Sequence, residues 1–479
     1  MVIKSLCLVI GAVFYFAPGQ ATVVRLGPKE VADLVIQNNH KVKEAQLNPE
    51  ISRLNYIRAK QILDWHLLLE SGLEESRFEP FSGLPFNTGQ DTLQTQISLR
   101  KNLLSGTQIQ LNVQHTSTRF DLAAGSVLPP TVNVWTSSVS LTQSLWRNYF
   151  GEAWRREIEA QKQFYETAHM QKLEELETLV TEGVHRFWGV ITAELALKEH
   201  QAARDRYQVL LTNVRRKQAV GFVNPGELSL VQAELEAKEQ SVWKAEVTLQ
   251  ETRSQFLTFL HLAKDAQIEW VFPKDIQSLP PFTPDDFDVR QTRPYRIAER
   301  RKEATENLLK AAQANQGMDI SLIGQYGIAG VDKLSETARQ EWLRADRPRY
   351  FVGLRVQWEF GSDVRQEEVR SKRFSLDQEN LKLSRLLLEL EDKKATLKKK
   401  ILNQYQTLSS LVKQKNFRLN AVRELTRSYE VGKVDIRTLI DTINGAHFTD
   451  LEYLKGVAEY QNLVVEWLAL KDELVLALE

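Results

Sequence analysis

The sequence predicts an α+β fold in which two strand hairpins each lead into a very long helical hairpin. In each half of the chain the hydrophobic period changes from two residues to between three and four. The same order of segments occurs twice. Gly and Pro together make up only 36 of the 479 residues, and no proline follows position 348, so that region is expected to be helical.

The composition excludes several classes of protein. A chain of 479 residues with 42% apolar residues can bury large cores, so it is neither a disordered tail nor a disulfide-stapled miniprotein. Lys plus Arg and Asp plus Glu stand at 62 each, which leaves no electrostatic basis for binding nucleic acid. The single cysteine, Cys7, lies close to the N-terminus.

Residues 1–21 have the pattern of a cleavable signal peptide. Lys4 precedes an apolar run from Leu6 to Ala17, and small residues lead up to Ala21. That run is shorter than the roughly 20 residues that cross a bilayer, and no later segment is long enough. We therefore expect an exported chain that loses Cys7 with its signal and that cannot cross a membrane by helices.

The remainder of the chain is expected to form two structural repeats. The first covers residues 22–263 and the second residues 294–479, with a Pro-rich connector at 264–293. A tryptophan that ends a strand and the glycine that ends the following helix are 75 positions apart in the first repeat and 74 in the second, at Trp146 with Gly221 and Trp358 with Gly432. The two halves follow one plan.

Each repeat contains one long helix and one return helix. The long helices are predicted at 152–220 and 364–431, and the apolar residues of the second follow the spacing of a coiled-coil seam. At 1.5 Å per residue each would be roughly 100 Å long. The return helices are predicted at 227–262 and 436–478, so each repeat forms a helical hairpin.

The tips of these hairpins carry cap signals. Gly221 and Gly432 are suited to the left-handed conformation that ends a helix. Asn224 is expected as the N-cap of the first return helix with Pro225 at its first position, and Asp435 is expected as the N-cap of the second.

Strand hairpins precede the long helices, at about 107–146 and about 318–361. A soluble sheet with one wet face would show the same alternation. However, an isolated hairpin is marginal in water and leaves open edges. Strands from other copies would close those edges and turn an apolar face to lipid. Residues 70–100 contain a further alternating segment, Leu93 to Leu99, which is either a periplasmic strand or an addition to the barrel.

The order and spacing of these segments, together with short motifs, resemble the TolC-like outer membrane efflux proteins of Gram-negative bacteria. The resemblance covers nearly the whole mature chain. The motifs are 38–45 (NNHKVKEA), 141–146 (LTQSLW), 293–294 (RP), 429–432 (YEVG) and 439–441 (LID).

This resemblance implies a homotrimer in the outer membrane that extends into the periplasm. Each protomer would give four strands to a 12-stranded transmembrane barrel, which a helical tunnel continues across the periplasm. The helix tips would dock a periplasmic adaptor (membrane fusion) protein and an inner membrane transporter, and Gly221, Phe222, Gly432 and Lys433 lie at those tips.

The resemblance also places a periplasmic gate near the second tip. Asp441 occupies a family aspartate position, whereas Thr438 stands where another aspartate is common. That departure makes the constriction less acidic. A solvated helix-face carboxylate is the alternative interpretation of Asp441.

No motif indicates catalysis, a metal site or a cofactor. The eight histidines are scattered without metal-ligand spacing, and no nucleophile motif occurs. The resemblance implies a passive channel-tunnel that serves as the exit duct of a tripartite efflux pump or a type I secretion system and opens when its helices untwist. A soluble periplasmic coiled-coil scaffold is the alternative. The cargo could be a drug, a metal ion or a polypeptide.

Overall fold

The computed structural model describes residues 24–77, 89–122, 129–263, 266, 268–272, 281–359 and 363–474. The predicted signal peptide and positions 264, 265, 267 and 273–280 of the predicted connector lie outside the described residues. Elements in chain order are β1 (Val24–Leu26), α1 (Pro28–Asn38), α2 (His40–Lys60), β2 (Trp65–Arg77), β3 (Gly89–Asn102), β4 (Thr107–Asp121), β5 (Thr131–Ser144), α3 (Glu152–Ala219), α4 (Glu227–Phe259), β6 (Ile268–Trp270), α5 (Arg293–Ala314), β7 (Asp319–Asp332), α6 (Ser335–Arg344), β8 (Pro348–Gln357), α7 (Val364–Glu430) and α8 (Ile436–Leu470).

The chain forms two compact units, and each is assembled from segments of both halves of the sequence. The first unit comprises Met1–Glu44, Glu175–Asp288 and Glu391–Glu479, and the second comprises Ala45–Glu174 and Val289–Leu390. The predicted repeats are therefore not separate domains. Among the described helices, none is both long enough and apolar enough to cross a membrane.

Among the residues that the structure describes, the helices of the first unit enclose two hydrophobic cores. One core joins α1 to α3, α4 and α8, and its fully buried side chains include Val35, Phe187 and Phe256. Beside it, β1 and β6 form a short parallel pair in which Val24 is level with Ile268. The second core lies at the tips of the helical hairpins, around Tyr207, and is described with the functional site.

The long helices begin and end within one residue of their predicted positions. α3 runs from Glu152 to Ala219 and α7 from Val364 to Glu430. One face of α7 packs on neighbouring helices, so the residues of its predicted seam are buried at intervals of four or seven. The buried residues of this seam include Leu390, Leu397, Ile401 and Leu408. The return helices also begin where predicted, but α4 ends at Phe259 and α8 at Leu470, earlier than expected.

The second unit contains an antiparallel sheet of six strands, in the order β2-β3-β4-β5-β7-β8. The prediction of four strands per protomer is therefore wrong for this sheet. The predicted hairpins correspond to β4 with β5 and to β7 with β8. The additional hairpin, β2 with β3, pairs continuously from Trp65 opposite Lys101 to Arg77 opposite Gly89. The alternating segment Leu93 to Leu99 lies inside β3 and is therefore part of this sheet.

A short helix, α6, lies in the connection between β7 and β8. It packs on β5 and β7, where the indole Nε1 of Trp342 donates a hydrogen bond to Ser137 Oγ at 3.0 Å. The ring of Trp342 also stacks on Trp135, with 5.7 Å between centroids. Gly330 permits this approach, because a Cβ there would collide with the backbone of Ala338 and Trp342.

Candidate functional site

The two helical hairpins of the first unit end in the same kind of turn. Gly221 and Gly432 both have φ of 78°, in the left-handed region. In the first turn the N–H of Phe222 donates to the carbonyl of Lys217 at 3.0 Å, and in the second the N–H of Lys433 donates to the carbonyl of Ser428 at 2.9 Å. These are the backbone bonds of a Schellman motif, which satisfies carbonyls at a helix end. The side chains of Phe222 and Lys433 remain exposed.

The return helices start differently from one another. Asp435 lies at the N-cap of α8, where its carboxylate accepts a hydrogen bond from the N–H of Thr438 at 3.3 Å. The N-cap of α4 is Gly226, so the assignment of that cap to Asn224, with Pro225 as the first helical residue, is wrong. Pro225 and Gly226 instead occupy the centre of a turn in which the N–H of Glu227 donates to the carbonyl of Asn224 at 3.2 Å.

Asn224 does not cap α4 because its side chain makes a different hydrogen bond. Its amide Nδ2 donates to the carboxylate Oε1 of Glu227 at 2.6 Å, and Gly226 takes the positive φ of 90° that the turn requires. The turn is completed before the helix begins. The helix therefore starts two residues later than Pro225.

A hydrogen-bonded chain, which we call the upper tie, joins the first hairpin to the second. The hydroxyl of Tyr207 on α3 donates to Oδ1 of Asn444 on α8 at 2.9 Å, and Nδ2 of Asn444 donates to Glu234 on α4 at 3.3 Å. The ring of Tyr207 is fully buried. Burial raises the pKa of its hydroxyl, and the charges of Glu234 and Asp441 raise it further, so the donor keeps its proton.

A second chain, which we call the lower tie, lies closer to the turns. The ammonium of Lys217 donates to the backbone carbonyl of Tyr429 and lies 4.1 Å from the centroid of its ring. The hydroxyl of Tyr429 donates to Glu227 Oε2 at 3.2 Å. Burial, together with the neighbouring Glu227 carboxylate, raises the pKa of Tyr429 to about 12. The lower tie therefore connects α3, α7 and α4.

Two histidines pack together about one turn beyond Asn444 on α8. Nε2 of His447 lies 3.2 Å from Nδ1 of His200 on α3. Burial lowers the pKa of His447 to about 4, and the charges of His200, Lys238 and Arg206 act in the same direction. The pair is therefore neutral near pH 7, and it packs as an uncharged contact between the hairpins.

The two predicted gate residues occupy different surroundings. Asp441 is exposed on α8, and its charge acts on Tyr207. Thr438 is engaged with the cap, because its hydroxyl and its N–H both donate to the Asp435 carboxylate. The structure thus brings Asp441, and not Thr438, beside the upper tie.

Sequence reasoning missed most residues of the two ties. Tyr207, Asn444 and Glu234 carry no motif, and the partners are more than 200 positions apart in the chain. Tyr429 is the one tie residue that lies within a family motif, 429–432 (YEVG). The remaining signal available in the sequence is that both tyrosines lie on the apolar stripe of a helix, where a buried hydroxyl requires a partner.

A second candidate surface is one face of the sheet in the second unit. Registers across all six strands place apolar side chains on one face, which we call the apolar face. These side chains include Leu67, Leu69, Ile97, Leu111, Val139, Tyr326, Tyr350, Val352 and Leu354. Many are exposed, with Leu69 at 69% and Val352 at 79%.

The opposite face of the sheet is lined mainly by amide and hydroxyl side chains. It includes Gln94, Gln96, Asn112, Gln114 and Ser140. Some of these side chains bond across strands, as Nε2 of Gln96 does to Oδ1 of Asn112 at 2.9 Å. A sheet with an exposed apolar face and a hydrogen-bonded polar face has the pattern of strands that separate lipid from water.

Comparison with known proteins places the fold. No model of a known protein family matches the chain, and no curated protein matches it. Solved structures do match. The outer-membrane channel OprN is 15% identical with a TM-score of 0.69, covering 93% of this chain and 89% of its own. The outer membrane protein VceC from Vibrio cholerae is 12% identical with a TM-score of 0.66, covering 92% and 95%.

A third similar structure is the open state of the MtrE outer membrane channel from Neisseria gonorrhoeae. It is 14% identical with a TM-score of 0.65, and the match covers 93% of this chain and 89% of that one. The likeness extends over almost the entire length in each case. The chain therefore has the fold of these outer membrane channels and resembles the TolC-like outer membrane efflux proteins.

Proposed function

We propose that this chain is the protomer of a trimeric channel-tunnel in the outer membrane of a Gram-negative bacterium. It would serve as the exit duct of a tripartite efflux pump or a type I secretion system. The duct is passive, because energy comes from an inner membrane transporter. A periplasmic adaptor joins that transporter to the helix tips.

The observation that carries the proposal is the sheet of the second unit. Its apolar face exposes large side chains on every strand, and the edge strands β2 and β8 have one neighbour each. An exposed apolar surface that extends across six strands marks a contact with lipid or protein. Strands are stable in lipid only when every edge is paired. Lipid on the apolar face and copies of the chain at the edges satisfy both conditions.

The ties at the helix tips support a closed resting state. The upper and lower ties both connect the α3–α4 hairpin to the α7–α8 hairpin through partly or fully buried groups. Separation of the hairpins would leave Tyr207, Asn444 and Tyr429 without their partners, at about 1–3 kcal/mol for each buried group. Opening therefore requires an external binding partner that compensates for this cost.

The exposed tips are suited to receive that partner. Phe222 is 80% exposed at the first turn, and at the second turn Val431 is 68% exposed and lies two residues before the exposed Lys433. An exposed apolar side chain beside a cation at a rigid turn can anchor a helical surface of another protein. We therefore assign adaptor docking to the two Schellman turns.

A soluble periplasmic scaffold is less consistent with the sheet. In water, the part of the apolar face that α6 does not cover would leave large apolar side chains exposed on each of the six strands. The two functions differ in extraction, because a channel would leave the cell envelope only with detergent and a scaffold would leave with osmotic shock.

Planar bilayer recording tests the function directly. The purified chain should insert as a trimer with low resting conductance, and a variant carrying both Tyr207→Phe and Tyr429→Phe should conduct more. Tyr56→Phe, which changes a tyrosine of the second unit, is the matched control and should behave as the parent. Absence of conductance in the parent and in the double variant would reject the channel.

A further inference from the structure

We infer that three copies of this chain close a wall of eighteen strands, in which β8 of one copy pairs with β2 of the next. The inference rests on the proposed function for the number of copies. It departs from the 12-stranded barrel that the family resemblance implies, because the sheet of one chain has six strands and not four.

The directions of the strands allow this junction. All five pairings inside the sheet are antiparallel, so strand direction alternates from β2 to β8. With six strands, the two edge strands run in opposite directions. The β8 edge of one copy can therefore continue the antiparallel order with the β2 edge of another, and the ring closes with no parallel pair.

The side chains of the two edges limit the register to those that keep the apolar side chains on one face, and we adopt the one that places Leu69 opposite Leu354. With Leu69 opposite Leu354 of the next copy, Leu67 faces Val356 and Leu73 faces Tyr350, all on the apolar face. A slip by one residue would move each apolar side chain of one strand against the polar face of the other. Strands β2 and β8 are exposed along nearly their whole length in the protomer. This exposure is consistent with pairing to a strand of another copy.

Charges on the polar face agree with the same register. Glu74 falls directly opposite Arg349, and Glu70 falls diagonal to Arg355. These four side chains are exposed in the protomer. Opposite charges at directly facing and diagonal positions favour a strand pairing, whereas like charges oppose it. The acidic side chains lie on β2 and the basic side chains on β8, so each junction joins an acidic edge to a basic edge.

The stagger of this register is that of a closed barrel. Within one copy, successive pairings place Leu69 level with Ile97, Val113, Ser137, Ile328 and finally Pro348. In the proposed junction Pro348 faces Glu75 of the next copy. A path that follows laterally paired residues therefore starts at Leu69 of one copy and reaches Glu75 of the next, which is a shift of about six residues along the strand. Around three copies these shifts add up to a barrel stagger of about 18 residues.

A barrel with equal strand number and stagger has a known tilt. Eight strands with a stagger of eight incline by about 36°, and membrane barrels incline by about 35–45°. Eighteen strands with a stagger of about 18 have the same ratio and thus the same tilt. The adopted register is therefore compatible with the geometry of a closed barrel.

The consequence is a wider bore. Barrel diameter grows roughly linearly with strand number, so eighteen strands give a bore about half again as wide as twelve, in the range in which barrels leave an aqueous channel. The wall would then not limit the size of the cargo. The helix tips of the first unit would be the limiting point.

Imaging of the detergent-solubilised full chain by electron microscopy counts the strands without any substitution. The expected result is a ring of three copies with eighteen strands. A ring of three copies with twelve strands, and β2 and β3 outside the wall, would overturn the inference and leave the channel function standing. A single copy with no ring would overturn both.

Cross-linking tests the register in the outer membrane. In a chain carrying Cys7→Ser, the pair Leu69→Cys with Leu354→Cys should be joined by a short thiol cross-linker into dimers and trimers. The control pair, Leu69→Cys with Tyr350→Cys, lies on the same face but about 13 Å out of register, and it should react at least tenfold less. Equal reaction of the two pairs would overturn the proposed register, and each single-cysteine variant should migrate as the parent trimer.

Discussion

The hydroxyl of Tyr207 donates to Oδ1 of Asn444 at 2.9 Å and joins two helices whose residues are 237 positions apart. The pair belongs to the upper tie, which continues from Asn444 to Glu234. It is one of the contacts that attach the first hairpin to the second through groups that lie mostly out of solvent. Loss of this bond should therefore affect gating more than folding.

Tyr207→Phe removes the hydroxyl and keeps the ring in the core. We expect a loss of about 1 kcal/mol in stability, typical of one hydrogen bond, and a higher open probability in single-channel recordings. The parallel change Tyr56→Phe should alter neither quantity. A Tyr207→Phe channel as closed as the parent would show that the upper tie does not hold the tips together.

Acid should weaken the contact between His200 and His447. Burial is the main cause that lowers the pKa of His447 from 6.5 to about 4, and among the surrounding charges only Asp450 acts in the opposite direction. A lowered histidine pKa means that the neutral form stabilises the fold. This stabilisation is complete above about pH 6.5 and is lost as the pH falls towards 4, by about 3 kcal/mol in total.

The measurement is thermal unfolding at several values between pH 7 and pH 4. The parent should lose more stability over this range than His447→Gln, whose side chain does not titrate. His169→Gln changes an exposed histidine and should retain the full acid dependence of the parent. Equal slopes for the parent and His447→Gln would contradict the assignment.

The tip glycines should not tolerate a side chain. Gly221 and Gly432 both have φ of 78°, where an alanine costs about 1–2 kcal/mol. Gly221→Ala and Gly432→Ala should each lower the unfolding temperature. Gly189→Ala should raise it, because that glycine lies inside α3 and its added Cβ would come no closer than 3.7 Å to Thr252. A common response of all three variants would indicate that the left-handed turns are unimportant.

The two faces of β5 should respond differently to a charge. Val139 lies on the apolar face between Leu111 and Tyr326, whereas its neighbour Ser138 lies on the polar face. Val139→Arg should cost about 2–4 kcal/mol if the residue lies near the middle of the bilayer. The amount of heat-resistant trimer in outer membranes reports this cost. Ser138→Arg should assemble normally, and reversal of this order would invert the assignment of the faces.

Periodicity predicted the long helices because a seam repeated over more than 60 residues is a strong signal. Both long helices end within a residue of the predicted positions, and the left-handed glycines lie where the motif placed them. The strand β2 was missed because Leu67, Leu68 and Leu69 run without alternation. The three leucines alternate between the two faces only once the pairing with β3 is known.

The parts of the site that sequence reasoning missed depend on distant partners. The prediction of Asn224 as an N-cap was wrong because its side-chain amide donates to the Glu227 carboxylate. The sequence motif is the same whether the Asn side chain caps the helix or bonds to this carboxylate. The ties could not be predicted from the sequence, because a hydrogen bond between residues as far apart as Tyr207 and Asn444 produces no local sequence pattern. Local rules report local structure, whereas a contact between two hairpins depends on packing.

Both tip turns complete their hydrogen bonds with their own backbone, and the side chains of Phe222 and Lys433 take no part in them. Natural selection can therefore replace these two side chains without disturbing the fold beneath them. Under the proposed function, the duct could be adapted to a new pump by a few substitutions at its tips, with the scaffold unchanged.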